Sequence, residues 1–106
     1  MTNQSKISNA FQTFGSEAPQ HAKAWMDVTQ GLANASALDP KTKALAYLAV
    51  LAVLRLESGV LFHVQAAKQA GATREEVISA ILVGLTPAGH QVTQVLPAAI
   101  AAYDTD

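Results

Sequence analysis

Histidine is the side chain best suited to move protons near neutral pH, and this chain carries three: His21, His63 and His90. His63 stands in "LESGVLFHVQAAKQAG", where Glu57 is the only carboxylate ahead of it and Ser58 the only hydroxyl. The chain has no cysteine. Thiolate nucleophiles, thiolate metal ligands and disulfides are therefore excluded. His63 is the leading candidate for a general base or ligand anchor, with Glu57 and His90 as the other candidate catalytic groups. Each also has a structural reading. His63 can be a core histidine satisfied by a backbone carbonyl. Glu57 can be a solvated charge at the positive end of the helix that carries His63. Ser58 suits an N-cap better than a nucleophile. His21 reads as exposed, and Trp25 as a packing anchor among apolar neighbours at helical spacing.

The elements that must position these residues all read as helices, so the expected class is all-α, a compact domain of five to six helices. Residues 1–15 are polar apart from Phe11 and Phe14 and read as a flexible arm whose rings can dock on the body; residues 16–106 form the helical domain. The first helix is expected from near Pro19 to near Leu32, before the loop signals of "GLANASALD". The second opens at Asp39 as N-cap and Pro40 as first helical residue. It is apolar on every side through Leu54, which predicts burial on all sides, within the domain or between subunits. The third covers roughly Ser58 to Ala70 and stops at Gly71. At about 100° per residue, Gln65, Lys68 and Gln69 share its wet sector, and Leu61 points near it. His63 falls opposite, flanked by Val60, Ala67 and Ala70. The fourth helix opens with the capping box Thr73-x-x-Glu76, and a break follows at "TPAGH". The last runs from about Gln91 to Tyr103, with Pro97 kinking or restarting it.

Composition narrows the function classes. Of 106 residues, 21 are alanine and 6% are aromatic, which favours closely packed helices. A single domain of this size buries a modest core, and association with copies of itself is a common remedy. Net charge is −1, with no basic patch or stripe, so nucleic acid is not an expected partner. The longest apolar run, Ala44 to Leu54, is too short to span a membrane. The N-terminus has no apolar signal core, so a cytoplasmic location is expected.

"LDPKTKALAYLAVLAV" followed by "FHVQAAKQAGATREEV" resembles the carboxymuconolactone decarboxylase and alkylhydroperoxidase-D-like family over roughly residues 15 to 103. The elements "LDPKT" and H-x-x-x-A-x-x-x-G-A-T-x-E-E in this order carry the resemblance. It implies an all-helical fold that assembles as trimers or hexamers with pockets near subunit interfaces. A homo-oligomer, a hexamer built as a trimer of dimers, is therefore expected.

Peroxidase-like members of the family carry C-x-x-C-x-x-x-H and an upstream Glu. The resemblance places the His at His63, the two Cys at Leu56 and Gly59, and the Glu at Ala44. Leu, Gly and Ala cannot reduce a peroxide or exchange a disulfide. The lactone-decarboxylating members also lack the Cys pair, but hold a carboxylate where Gly59 stands.

The family's Gly-rich turn packs near the start of the motif helix, and here that turn carries His90. The resemblance thus brings His90 toward His63, and with Glu57 they form the donor types of a facial metal site. No H-x-x-x-H spacing supports one, and no metal or other cofactor is expected. Two functions remain open: a small-molecule site at His63 acting without redox chemistry on a lactone or carbonyl compound, and an inactive binding or scaffold oligomer.

Overall fold

The computed structural model describes residues 7–105. Among them the elements are α1 (Asn9–Glu17), α2 (Pro19–Ala35), α3 (Pro40–Leu54), a 3-10 turn (Glu57–Gly59), α4 (Val60–Gln69), α5 (Arg74–Leu82), α6 (Leu85–Ala88), a 3-10 helix (His90–Val95) and α7 (Leu96–Asp104). The described residues contain no strand. The all-α class is as the sequence predicts. The chain divides after Leu38 into two compact units, whereas the sequence suggests one boundary, between residues 15 and 16.

The first unit holds α1 and α2. Much of the segment expected to be a loose arm is the helix α1, because Ser8 caps it by accepting from the Phe11 amide at 3.2 Å. Residues 1–6 of that expected arm lie outside the described residues. Phe11 and Phe14 meet edge to face, with ring centroids 6.2 Å apart. Neither α1 nor α2 contains a buried residue. Trp25 is 54% exposed, with Met26, Val28 and Leu32 exposed beside it. Within the chain Trp25 is therefore not the packing anchor expected from its spacing: helical spacing reports that apolar residues share a face, not that the same chain covers it.

The second unit is built on α3. Asp39 caps it as expected, accepting from the Thr42 amide at 2.8 Å, with Pro40 in the first turn. That backbone bond, then the Thr42 hydroxyl, holds the Asp39 carboxyl below its ordinary pKa. α3 ends at Arg55, a non-glycine residue in the left-handed region (φ 56°). There the Leu56 amide donates back to the Leu51 carbonyl at 3.0 Å, turning the chain into α4. α4 stops at Gly71 (φ 98°), with the Gly71 amide on the Lys68 carbonyl and the Ala72 amide on the Ala67 carbonyl. This is a Schellman ending that needs glycine's freedom at positive φ. α5 opens with the expected capping box: the Thr73 hydroxyl accepts from the Glu76 amide, and the Glu76 carboxylate from the Thr73 amide. Lys41 pairs with the other Glu76 oxygen at 2.8 Å. Pro97 restarts the last helix, lying in the first turn of α7 after the 3-10 helix.

The core is one cluster. Leu48, Leu51 and Ala52 of α3 meet Val60 and Val64 of α4, Ile81 of α5, and Ala99 and Ala102 of α7. The burial of α3 on all sides is not met within the chain, since Tyr47, Val50, Val53 and Leu54 are exposed on its other face.

α4 carries a second correction. Gln65, expected in the wet sector, is buried. Its amide donates to the Ala102 and Thr105 carbonyls, and Lys68 donates to the Tyr103 carbonyl at 2.8 Å. The last carbonyls of a helix have no partner within it, so the end of α7 draws these donors inward. Leu61 is half-buried against the core rather than near the wet side.

At Gly84 the chain beyond α5 packs closely against Val53 of α3 and Val92 of the second 3-10 helix. A Cβ there would lie 2.8 Å from Val53 Cγ2 and 3.1 Å from Val92 Cγ1. Gly84→Ala is therefore expected to cost about 1–3 kcal/mol by overpacking. A urea titration checks this, and an unchanged midpoint would mean that the valines move aside without strain.

Candidate functional site

The site is best approached from His63 outward. Gly59 precedes it by one helical turn, and α4 packs on α3. This sets the His63 imidazole on the Tyr47 ring, with centroids 4.0 Å apart and planes 19° from parallel. Phe62 meets the imidazole edge-on at 5.2 Å. Both aromatic neighbours keep much of their surface in solvent, Tyr47 46% and Phe62 42%.

His63 is half-buried and makes no hydrogen bond to any described residue. No described side-chain nitrogen or oxygen is sealed from solvent without a partner, so the two imidazole nitrogens reach the surface. A core histidine held by a backbone carbonyl is thereby set aside: the ring is packed, yet its polar atoms are uncommitted. Its place also differs from the expected centre of the buried stripe. Val60, Val64 and Ala67 hold the centre, and His63 lies on the margin toward α3.

Burial disfavours the charged imidazolium and lowers the His63 pKa from its usual 6.5, so the ring is mostly neutral at pH 7. A neutral imidazole offers one donor and one acceptor. Beside it, a Cβ on Gly59 would meet His63 Cδ2 at 3.6 Å and Leu51 Cδ1 at 3.8 Å, ordinary van der Waals distances. A side chain at Gly59 would therefore pack against the imidazole edge without a clash.

The other candidate residues are not drawn in. Glu57 opens the 3-10 turn, exposed, and its carboxylate makes no hydrogen bond or ion pair with a described residue. It is a solvated charge near the positive end of α4. His90 opens the second 3-10 helix, exposed, with no ring contact or hydrogen bond to His63. Among the described residues no three His, Cys, Asp or Glu side chains are grouped to hold a metal ion, so the facial arrangement of His63, His90 and Glu57 is not formed. Ser58 caps nothing: α4 starts at Gly59 with no side-chain cap. At the other positions compared with the redox motif, Leu56 is exposed and Ala44 half-buried.

A cavity of about 610 Å³ lies elsewhere, between α3 and α5, lined by Leu45, Ala46, Ala49, Ser79, Ala80 and Val83 with Glu75 and Glu76 at its rim. It contains none of the candidate residues and no imidazole. Its size alone does not make it a reaction site, and the half-buried imidazole with uncommitted nitrogens is at His63.

Tyr47 and Phe62 were not among the candidates from sequence. Tyr47 is the one aromatic residue of α3 and Phe62 adjoins His63. Both are visible along the chain, but the stack depends on how α3 and α4 cross.

A sequence profile described as the carboxymuconolactone decarboxylase family matches residues 19–101. No curated protein matches the chain.

Proposed function

The chain belongs to the carboxymuconolactone decarboxylase family, and on that premise we propose that it is a member without thiol redox chemistry that binds a small lactone or carbonyl compound at His63, or acts on it by proton transfer. The observation that carries this reading is the His63 imidazole, packed against Tyr47 yet with both nitrogens uncommitted. Packing fixes where the ring sits, and its free polar atoms give a carbonyl oxygen or an acidic C–H something to meet. His63 works alone in this proposal, because Glu57 and His90 make no hydrogen bond, ion pair or ring contact with it. The testing experiment is a thermal-shift screen of wild type and His63→Gln against small lactones, quinones and carboxylic acids. A ligand that stabilises both proteins equally would remove His63 from the site.

The second reading, an inactive binding or scaffold oligomer, is supported by the apolar surface that the chain leaves open on α2 and α3. Under either reading the protein is a homo-oligomer, a trimer of dimers, working in the cytoplasm; no described helix is long and apolar enough to cross a membrane. Trp25 and Leu32 on α2, and Val50 and Leu54 on α3, are more than half exposed. Symmetric self-association would cover them. Light scattering at micromolar concentration should give a multiple of the 11.1 kDa chain mass. A monomer would refute the assembly.

Peroxidase or disulfide reductase chemistry is disfavoured, since Leu56 and Gly59 occupy the thiol positions and the chain contains no cysteine. With a hydroperoxide and a dithiol donor, turnover should match that of heat-killed protein. A rate well above that control would overturn this part of the proposal.

A further inference from the structure

Resting on the His63 site just proposed, we infer that Tyr47 sets its specificity, and that the ligand it selects is an uncharged, planar, conjugated carbonyl compound rather than a carboxylate. The inference comes from what surrounds the imidazole. Tyr47 stacks on it at 4.0 Å, Phe62 meets it edge-on, and Leu51 and the backbone of Gly59 lie against its edge. None of these four neighbours carries a charge. Glu57 and His90 make no hydrogen bond, ion pair or ring contact with His63.

A ligand carboxylate brought against this half-buried ring would lose part of its hydration, and none of these four neighbours is a cation that could replace it. A neutral carbonyl oxygen needs only one donor, and the neutral imidazole supplies an N–H. Flat conjugated ligands also gain from rings already in place. Tyr47 and Phe62 leave about half their surface to solvent, and aromatic contacts favour planar partners in offset or edge-on arrangements. Tyr47 is thus a positioning residue: it holds the imidazole plane and offers the ligand a ring surface.

The test uses coumarin and coumarin-3-carboxylate, which share a planar lactone skeleton and differ by one carboxylate. Binding is followed by NMR through the His63 ring resonances in wild type, Tyr47→Phe, Tyr47→Ala, Tyr47→Leu and His63→Gln, the last through neighbouring methyl signals. Coumarin is expected to bind wild type at least tenfold more tightly than its carboxylate. Tyr47→Phe should keep that preference because the ring remains. Tyr47→Ala should lose it, together with the upfield ring-current shift of the His63 protons. Tyr47→Leu retains apolar bulk without a ring and should behave like Tyr47→Ala, which covers a failure of the alanine variant to fold. Carboxylate binding as tight as coumarin, dependent on His63, would overturn the inference while leaving the His63 site standing. Coumarin binding unchanged in Tyr47→Leu would remove Tyr47 from the role. Binding unchanged in His63→Gln, or no response of the His63 signals to either compound, would overturn the site and the inference together.

Discussion

His63→Gln is expected to abolish ligand-induced stabilisation and to lower any turnover at least about 100-fold, the low end of what a positioned general base contributes. The fold should barely notice. His63 makes no hydrogen bond that the change would break, and the lost aromatic stack is worth about 0.5–1.5 kcal/mol. A melting point within a few degrees of wild type, with the oligomer intact, separates loss of function from loss of structure.

The same residue predicts a pH dependence. Its pKa in the folded protein lies below 6.5 because burial opposes the charge. As pH falls below about 6.5 the unfolded chain takes up the proton first. The stability contributed by neutral His63 is therefore complete above that pH and is lost as pH falls through the folded-state value. Ligand binding that uses the neutral ring should decline over the same fall. An NMR titration of the His63 protons checks the direction, and a midpoint at or above 6.5 would contradict it.

Gln65→Leu is expected to cost about 2–3 kcal/mol, through a residue whose sequence position suggests a solvated surface. The Gln65 amide donates to two carbonyls at the end of α7, that of Ala102 in a buried setting and that of Thr105 in a part-buried one. Leucine nearly conserves the volume but leaves those acceptors without their donor, and unsatisfied buried polar groups cost about 1–3 kcal/mol each. The melting point should fall by roughly 10 °C or more. Gln69→Leu, at an exposed position of the same helix, should change stability by less than about 0.5 kcal/mol. Neighbouring ties hold the same region: the Tyr103 hydroxyl donates to the Ala72 carbonyl at 2.9 Å, and Arg74 pairs with Asp104 through two nitrogens. Arg74 also holds the Asp104 carboxyl below its ordinary pKa, first through the hydrogen bond and then through its charge. That contribution is present above the unfolded aspartate pKa and is lost as pH falls through the lower folded value. Equal melting points for the two glutamine variants would show that α7 is held by these other contacts alone.

Local chemistry decided several of the helix ends, and it is readable one residue at a time. Asp39 with Pro40, Thr73 with Glu76, and Gly71 each act within a turn of backbone, so the sequence alone located the starts of α3 and α5 and the end of α4. The all-α class was legible for the same reason: it rests on spacing along the chain. What lies across the chain was not. Gln65 is buried because α7 ends beside it with carbonyls in need of donors, and a helical wheel records only the residue's own polarity. Helix α1 was missed because its cap is a single serine before a polar, weakly apolar segment. The Tyr47–His63 stack joins residues sixteen positions apart on two helices, and Glu57 and His90, each opening a 3-10 segment, form no hydrogen bond or ring contact with His63. Sequence could name the imidazole; the packing of α3 on α4 decided its company, because side-chain contacts between helices depend on how they pack as well as on periodicity.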